Sequence, residues 1–135
     1  MNPFRRTPPD PRTHSIRGAF LRVTAELDAA QRVLLQAVPT SRDPGTLLAD
    51  ALAGFLDGLA RAEAAMPGWR TDRTERTWSR CAKAIARARS EAGRLGEDAA
   101  ASGLGFEALN ARLGDVVVPL EEFADVAREL KRVLR

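Results

Sequence analysis

The stretch FEALNARLGDVVVPLEEFADVARELKRVL, residues 106–134, repeats apolar residues at alternating intervals of three and four. This spacing places apolar side chains on one face of an α-helix. The face consists of Phe106, Leu109, Leu113, Val116, Leu120, Phe123, Ala127, Leu130 and Leu134. Its phase continues through Pro119, although proline removes a backbone donor and clashes with the preceding turn. We therefore predict one helix over this stretch, kinked near Pro119.

The same spacing recurs in three earlier segments, from Ile16 to Leu34, from Leu48 to Met66 and from Trp78 to Ala99. They predict helices over about residues 14–38, 44–66 and 72–102. The links between the helices are short, which favours antiparallel neighbours. The predicted fold is all-α: an up-down-up-down antiparallel four-helix bundle.

Capping residues support these boundaries. Asp43 followed by Pro44 is typical of a helix start, because proline is tolerated at the first helical position. Asp72 and Glu75, three residues apart, resemble a capping box at the start of the third helix. Gly103 is a candidate for the residue that ends this helix.

The domain organisation is simple. At 135 residues and 44% hydrophobic composition, the chain suits one domain with its own core. Residues 1–13 are rich in proline and arginine and predict a flexible arm, which leaves residues 14–135 for the bundle. In this arm Arg5, Arg6 and Arg12 are candidates to contact an anionic partner, and Phe4 is a candidate anchor.

The expected location is the cytoplasm. No apolar run approaches the roughly 18 residues that a membrane span requires, so no membrane partner is expected. The basic N-terminus is not followed by the apolar stretch of a secretory signal.

Few residues suit catalysis or metal binding. His14 and Cys81 are the only histidine and cysteine, so ordinary zinc ligation and an intrachain disulfide are excluded. The Glu-x-x-His pairs of dimetal bundles are absent, as are phosphate-binding and nucleophile-elbow motifs. Cys81 falls on the apolar face of the third helix, where a cysteine behaves as a small hydrophobic residue. We expect no enzymatic activity, no cofactor and no metal.

A row of cations occupies one face of the third helix, at steps of three, four, three, four and seven. It consists of Arg73, Arg76, Arg80, Lys83, Arg87 and Arg94. Helical geometry places Arg80 about 200° from Trp78 on the apolar face, so the row is predicted to face solvent. It is a candidate surface for nucleic acid or another polyanion. The alternative is a solvated helix face, because the low lysine content indicates a GC-rich bacterial genome that supplies arginine through codon bias.

The motif HSIRG, residues 14–18, resembles the phosphoacceptor motif of histidine phosphotransfer domains, which are themselves four-helix bundles. This resemblance implies that His14 accepts a phosphoryl group. It also implies that Arg17 lies beside the added charge and that Gly18 leaves room for a receiver domain. The resemblance covers five residues, and the prolines before His14 place this histidine at a helix N-terminus rather than well inside a helix. The alternative is a solvated first-turn histidine.

Two other surfaces are candidates for protein contacts. Leu104, Phe106 and Leu109 lie where the second helix pair is predicted to extend past the first, and they either close the bundle end or bind a partner. The third helix is rich in alanine and glycine on its apolar face, which suits close packing within the chain or a homodimer contact. Trp69 lies in a predicted loop and either covers the bundle end or stacks on a ligand.

These patterns favour a small non-enzymatic protein-protein interaction or adaptor module, whose partner the sequence does not identify. The alternative is polyanion binding through the row of cations on the third helix, and a further alternative is phosphotransfer through His14.

Overall fold

The computed structural model describes residues 11–36, 44–102 and 106–134, with side chains for 15–36, 48–101 and 107–134. Nearly all of these residues are helical and none forms a strand, which confirms the all-α prediction for the described ranges. The α-helices are α1 (Pro11–Gln36), α2 (Pro44–Ala65), α3 (Glu75–Ser102), α4 (Phe106–Val117) and α5 (Glu122–Val133). A 3₁₀ turn at Met66–Trp69 follows α2, and another at Val118–Glu121 joins α4 to α5.

The first helix begins earlier than predicted. Helix α1 starts at Pro11 instead of near residue 14, because proline is well suited to the first helical position. The segment that precedes the helix is therefore residues 1–10. The predicted first-helix end near residue 38, the Asp43 cap and the Gly103 terminus lie outside the described residues.

The start of α3 depends on two threonines. The Thr74 hydroxyl accepts the Thr71 backbone N–H at 2.8 Å, while the Thr71 hydroxyl accepts the Thr74 N–H at 3.2 Å. This reciprocal pair satisfies donors that a helix start leaves free. The predicted capping box of Asp72 and Glu75 is wrong, because the Glu75 carboxylate accepts two hydrogen bonds from Arg70 instead.

One hydrophobic core holds the helices together. Large side chains from every α-helix have almost no exposed surface, and they include Val23, Leu34, Phe55, Leu59, Ile85, Leu95, Leu113 and Val126. Each such residue stabilises the fold by roughly 1.5–3 kcal/mol relative to an exposed position. The repeated apolar spacing of the sequence therefore identified most of the core. In α5 the prediction is wrong at one position, because Val126 is fully buried whereas the predicted Ala127 is only half-buried.

The fourth predicted helix is interrupted. The α-helical hydrogen bonding stops at Val117 and resumes at Glu122, with a 3₁₀ turn between them. Pro119 has no N–H to donate to the Asp115 carbonyl, so the chain tightens here instead of continuing as an α-helix. Leu120 is buried all the same. The prediction of one continuous helix is wrong over these four residues, although the apolar phase is kept.

Both tryptophans pack at the turn that joins α2 to α3. Trp69 is fully buried and lies edge-to-face against Phe20, with ring centroids 5.0 Å apart, so the prediction that Trp69 covers the core is confirmed. Trp78 is half-buried, and its indole N–H donates to the Met66 carbonyl at 2.8 Å. The Arg70 guanidinium carbon lies 4.0 Å from the centroid of the Trp78 ring, a cation–π contact.

Candidate functional site

Helix α3 begins at Glu75 instead of near the predicted residue 72, so Arg73 precedes the helix and the other five members of the cationic row lie on it. The row is partly neutralised within the chain. Arg73 donates a hydrogen bond to the Val133 carbonyl near the end of α5, and Arg94 pairs with Glu91 at 3.3 Å. Arg80 Nε lies 2.9 Å from Glu122 Oε1, and its Nη1 lies 2.6 Å from Glu129 Oε2. The carboxylates leave Arg80 and Arg94 with less charge available for an external anion than the sequence indicated, whereas the neutral Val133 carbonyl fixes the position of Arg73 without neutralising it.

Arg80 is only half-exposed, so the prediction that the whole row faces solvent is wrong at this position. The hydrogen bonds to Glu122 and the charges of Glu122 and Glu129 raise the pKa of the Arg80 guanidinium. The physical reason for its burial lies one turn away, where Ala84 is 6% exposed and in phase with the row. The small side chain of Ala84 lets the elements that pack against α3 come close to it. The row of cations runs along the edge of this packed surface.

The other three members of the row, Arg76, Lys83 and Arg87, form no ion pair with the described residues. Lys83 and Arg87 line a groove of about 570 Å³ between α3 and the Val118–Glu121 turn. Its other lining residues are Arg80, Ala84, Glu91, Asp115, Val118, Pro119 and Glu122. The groove therefore combines an apolar wall with two cations that have no ion pair among the described residues, and its carboxylates reduce its net charge.

A second groove lies between α1 and α5 and is mainly apolar. It has a volume of about 220 Å³ and is lined by Arg17, Phe20, Leu21, Ala127, Leu130, Lys131 and Leu134. Leu21 is 64% exposed at its edge, although the residue before it, Phe20, is 5% exposed. The apolar spacing of the sequence does not indicate this groove, because Leu21 lies off the core stripe of α1. The available signal was an unexplained leucine next to a core phenylalanine.

The HSIRG motif lies at the start of α1, with His14 as the fourth residue of the helix. The side chain of His14 lies outside the described residues. Arg17 is exposed, and a Cβ added to Gly18 would meet no atom within 4 Å. Internal packing therefore does not require glycine at this position, and phosphotransfer through His14 stays a prediction.

The predicted tip and arm are described only in part. Leu109 is 6% exposed. Leu104 and the side chain of Phe106 lie outside the described residues. So do Phe4, Arg5 and Arg6 and the side chain of Arg12, and their predicted roles stay predictions.

The alanine- and glycine-rich face of α3 is covered inside the chain. Ala88 and Ala92 are at most 1% exposed, and a Cβ added to Gly96 would lie 3.6 Å from Leu52 Cδ1. A homodimer stays a prediction, but these alanines are already occupied by the protein's own core and a second copy would need another surface.

Cys81 is fully buried on the same face of α3. Burial raises the pKa of its thiol to about 12, with a smaller opposing effect from Arg80. The nucleophilic thiolate is therefore scarce at neutral pH.

Two further findings concern the described part of the chain. No group of three or more histidine, cysteine, aspartate or glutamate side chains there is arranged to hold a metal ion. No helix in the same ranges is long and apolar enough to cross a membrane. A comparison of the chain with protein-family models, curated proteins and solved structures found no match.

Proposed function

We propose that this protein is a non-enzymatic protein-protein interaction module of the adaptor type, and that the groove between α1 and α5 is its binding surface. The observation that carries the proposal is Leu21, a large apolar side chain that is 64% exposed at the edge of an apolar groove. Exposed apolar surface with a polar rim is typical of a protein interaction site. Cytoplasmic location remains part of this proposal.

The arrangement of the helices is also a proposal. We infer that the four helical segments run up-down-up-down in an antiparallel bundle, with a bend at Pro119. Short links between successive segments and the packing of α1 on α2, α2 on α3 and α3 on α4 and α5 support it.

The test of the interaction module is a pull-down of the full-length protein at endogenous expression, with and without nuclease. We expect a nuclease-resistant protein partner in near-stoichiometric amount. This partner should be lost with Leu21→Glu and kept with Leu35→Glu, because Leu35 is another exposed leucine of α1 (51%) that does not line the groove. A partner that is equally retained by both variants, or substrate turnover by the purified protein, would contradict the proposal.

The second candidate function is binding of a polyanion, favoured by the unpaired cations Lys83 and Arg87 beside the 570 Å³ groove. Each phosphate that a cation neutralises adds salt-dependent affinity. The partial neutralisation of the row by Glu122, Glu129 and Glu91 places this candidate second.

The polyanion candidate is tested with labelled DNA and RNA oligonucleotides and the double variant Lys83→Glu, Arg87→Glu. We expect weaker binding and a logarithmic salt slope reduced by up to about 2. The matched control is Arg22→Glu, Arg32→Glu, which changes the net charge equally at two exposed positions of α1. An unchanged slope in the α3 variant would exclude the row as the binding surface.

A further inference from the structure

We propose that the groove between α1 and α5 binds an acidic amphipathic helix of a protein partner. This inference rests on the proposed interaction function and adds the chemistry of the partner.

The size of the groove suits side chains better than a small molecule. Its volume of about 220 Å³ is below the roughly 300–1,000 Å³ of most small-molecule pockets. The α5 part of the wall runs from Ala127 to Leu134, which corresponds to about 10 Å at 1.5 Å per residue. Two apolar side chains separated by two turns of a partner helix, at positions i and i+7, match this length.

The wall of the groove is apolar and its rim is cationic. Phe20, Leu21 and Leu130 contribute apolar surface, whereas Arg17 and Lys131 are the charged residues among those that line it. Neither cation forms an ion pair with the described residues, and no described carboxylate lines the groove. A helix with aspartate or glutamate on both sides of its apolar residues is therefore complementary in charge.

The same charges argue against a second copy and against the N-terminal segment as occupants. A two-fold dimer through this surface would bring Arg17 and Lys131 of both copies together, which is repulsive. Residues 1–10 carry Arg5 and Arg6 against a single acid, Asp10, and so lack the required negative charge. A lipid surface would meet Leu21 but would not fill a groove that lies between two helices.

The experiment is a display selection on the immobilised full-length protein. The library consists of helical peptides of about 18 residues with two leucines two turns apart, and Glu, Lys, Gln or Ala at the flanking positions. We expect glutamate to be enriched over lysine at those positions. A fluorescent copy of the best peptide should bind about tenfold more weakly to Leu21→Glu and to the double variant Arg17→Glu, Lys131→Glu, while Leu35→Glu binds normally.

The possible outcomes separate this inference from the proposed function. Groove-dependent peptides with lysine or uncharged flanks would overturn the acidic partner and leave the interaction surface in place. The absence of any peptide that depends on Leu21 would overturn both.

Three controls with the full-length protein test the other occupants. Sedimentation velocity should give a monomer, and a dimer that Leu21→Glu dissociates would overturn the proposal in favour of a second copy. Vesicles of phosphatidylglycerol and phosphatidylcholine should not co-sediment with the protein, and Leu21-dependent binding to them would also overturn it. Phe4→Asp should leave peptide affinity unchanged, because a gain of about tenfold would identify the N-terminal segment as the occupant.

Discussion

At the scale of single residues, Gly58 marks a close approach between α1 and α2. A Cβ built at Gly58 would lie 2.6 Å from Ala30 Cβ, closer than two carbon atoms can approach. At Gly54, one turn earlier, the nearest contact would be Val33 Cγ1 at 3.1 Å. The contact at Gly58 involves the Cβ atom of Ala30, which has no rotamer that avoids the clash. The two helices themselves would therefore have to move apart.

The first prediction is that Gly58→Ala destabilises the protein. Overpacking costs about 1–3 kcal/mol, which exceeds the gain of up to about 1 kcal/mol from the better helix former. The matched control is Gly93→Ala in α3, where an added Cβ meets nothing within 4 Å and the position is exposed. This control should be stabilised. Urea unfolding followed by circular dichroism measures both, and a stable Gly58→Ala variant would contradict the close approach.

The second prediction concerns Cys81 and pH. Burial raises the pKa of the thiol from its ordinary value of 9.0 to about 12. A raised folded-state pKa gives stability that is fully present below the unfolded value and is lost as pH rises from 9 towards 12. Between pH 8 and 10.5 the wild-type protein should therefore lose up to about 2 kcal/mol more than Cys81→Ala.

The measurement for Cys81 is the urea midpoint at both pH values in the two proteins. All other titrating groups are shared, so the difference between the two losses isolates the thiol. At pH 8 the variant itself should be about 1 kcal/mol less stable, because a small cavity replaces the sulfur atom. An equal loss of stability in both proteins would show that folding does not raise the pKa of the Cys81 thiol.

At the scale of elements, Arg80 connects α3 to α5. Its guanidinium holds two glutamates, Glu122 and Glu129, that are two turns apart on α5. Removing the cation leaves both carboxylates without this counter-charge. The contact is specific to tertiary structure, since Arg80 lies more than forty residues from either partner in the chain.

The third prediction is that Arg80→Met lowers the free energy of unfolding by about 1 kcal/mol, a value kept small because the side chains are 30–41% exposed. The loss should shrink at high salt, because salt screens exposed charges. The control is Arg94→Met, whose partner Glu91 lies on the same helix at 3.3 Å; it should change stability by less than about 0.5 kcal/mol. Equal effects of the two variants in urea unfolding would show that the contact between helices adds nothing.

At the scale of the whole molecule, Phe20 joins distant parts of the chain. It lies edge-to-face against Trp69 after α2 and is stacked on Phe123 of α5, with ring centroids 5.0 Å and 6.3 Å away. Leu21, its neighbour, projects to the outside at the edge of the groove. Adjacent residues of α1 therefore lie in different environments: Phe20 is in the core and Leu21 is at the surface.

The fourth prediction compares these neighbours. Phe20→Ala should cost about 3–5 kcal/mol, because it removes aromatic contacts from two other elements and leaves a cavity. Leu21→Glu should change stability by no more than about 0.5 kcal/mol, since its side chain is mostly in water. Both are measured by urea unfolding. A large loss for Leu21→Glu would show that this leucine belongs to the core, and the groove would then lose its main support as a binding surface.

Much of the fold was predictable, because the spacing of apolar residues follows helical geometry. The sequence predicted the helix boundaries at Pro44 and Ser102 and the burial of Trp69. The sequence did not predict the Thr71–Thr74 cap, because Asp72 and Glu75 are also three residues apart and form an equally plausible cap. The contact between Glu75 and Arg70, which rules out the second pair, is visible only in the structure. The HSIRG motif received a functional hypothesis from local sequence alone, and nothing in the described contacts adds to it.

The sequence by itself determined the all-α class and most of the core faces of the helices, because these depend on the periodic burial of apolar side chains. It predicted one kinked helix through Pro119, where the structure has a 3₁₀ turn at Val118–Glu121 between two α-helices. Only the tertiary structure decided which cations of the row are paired within the described part of the chain, because the partners of Arg80 and Arg73 come from residues far along the chain. It also decided the position of the proposed binding surface. The α1/α5 groove is formed by two helices from opposite ends of the sequence, and no local pattern records the space between them.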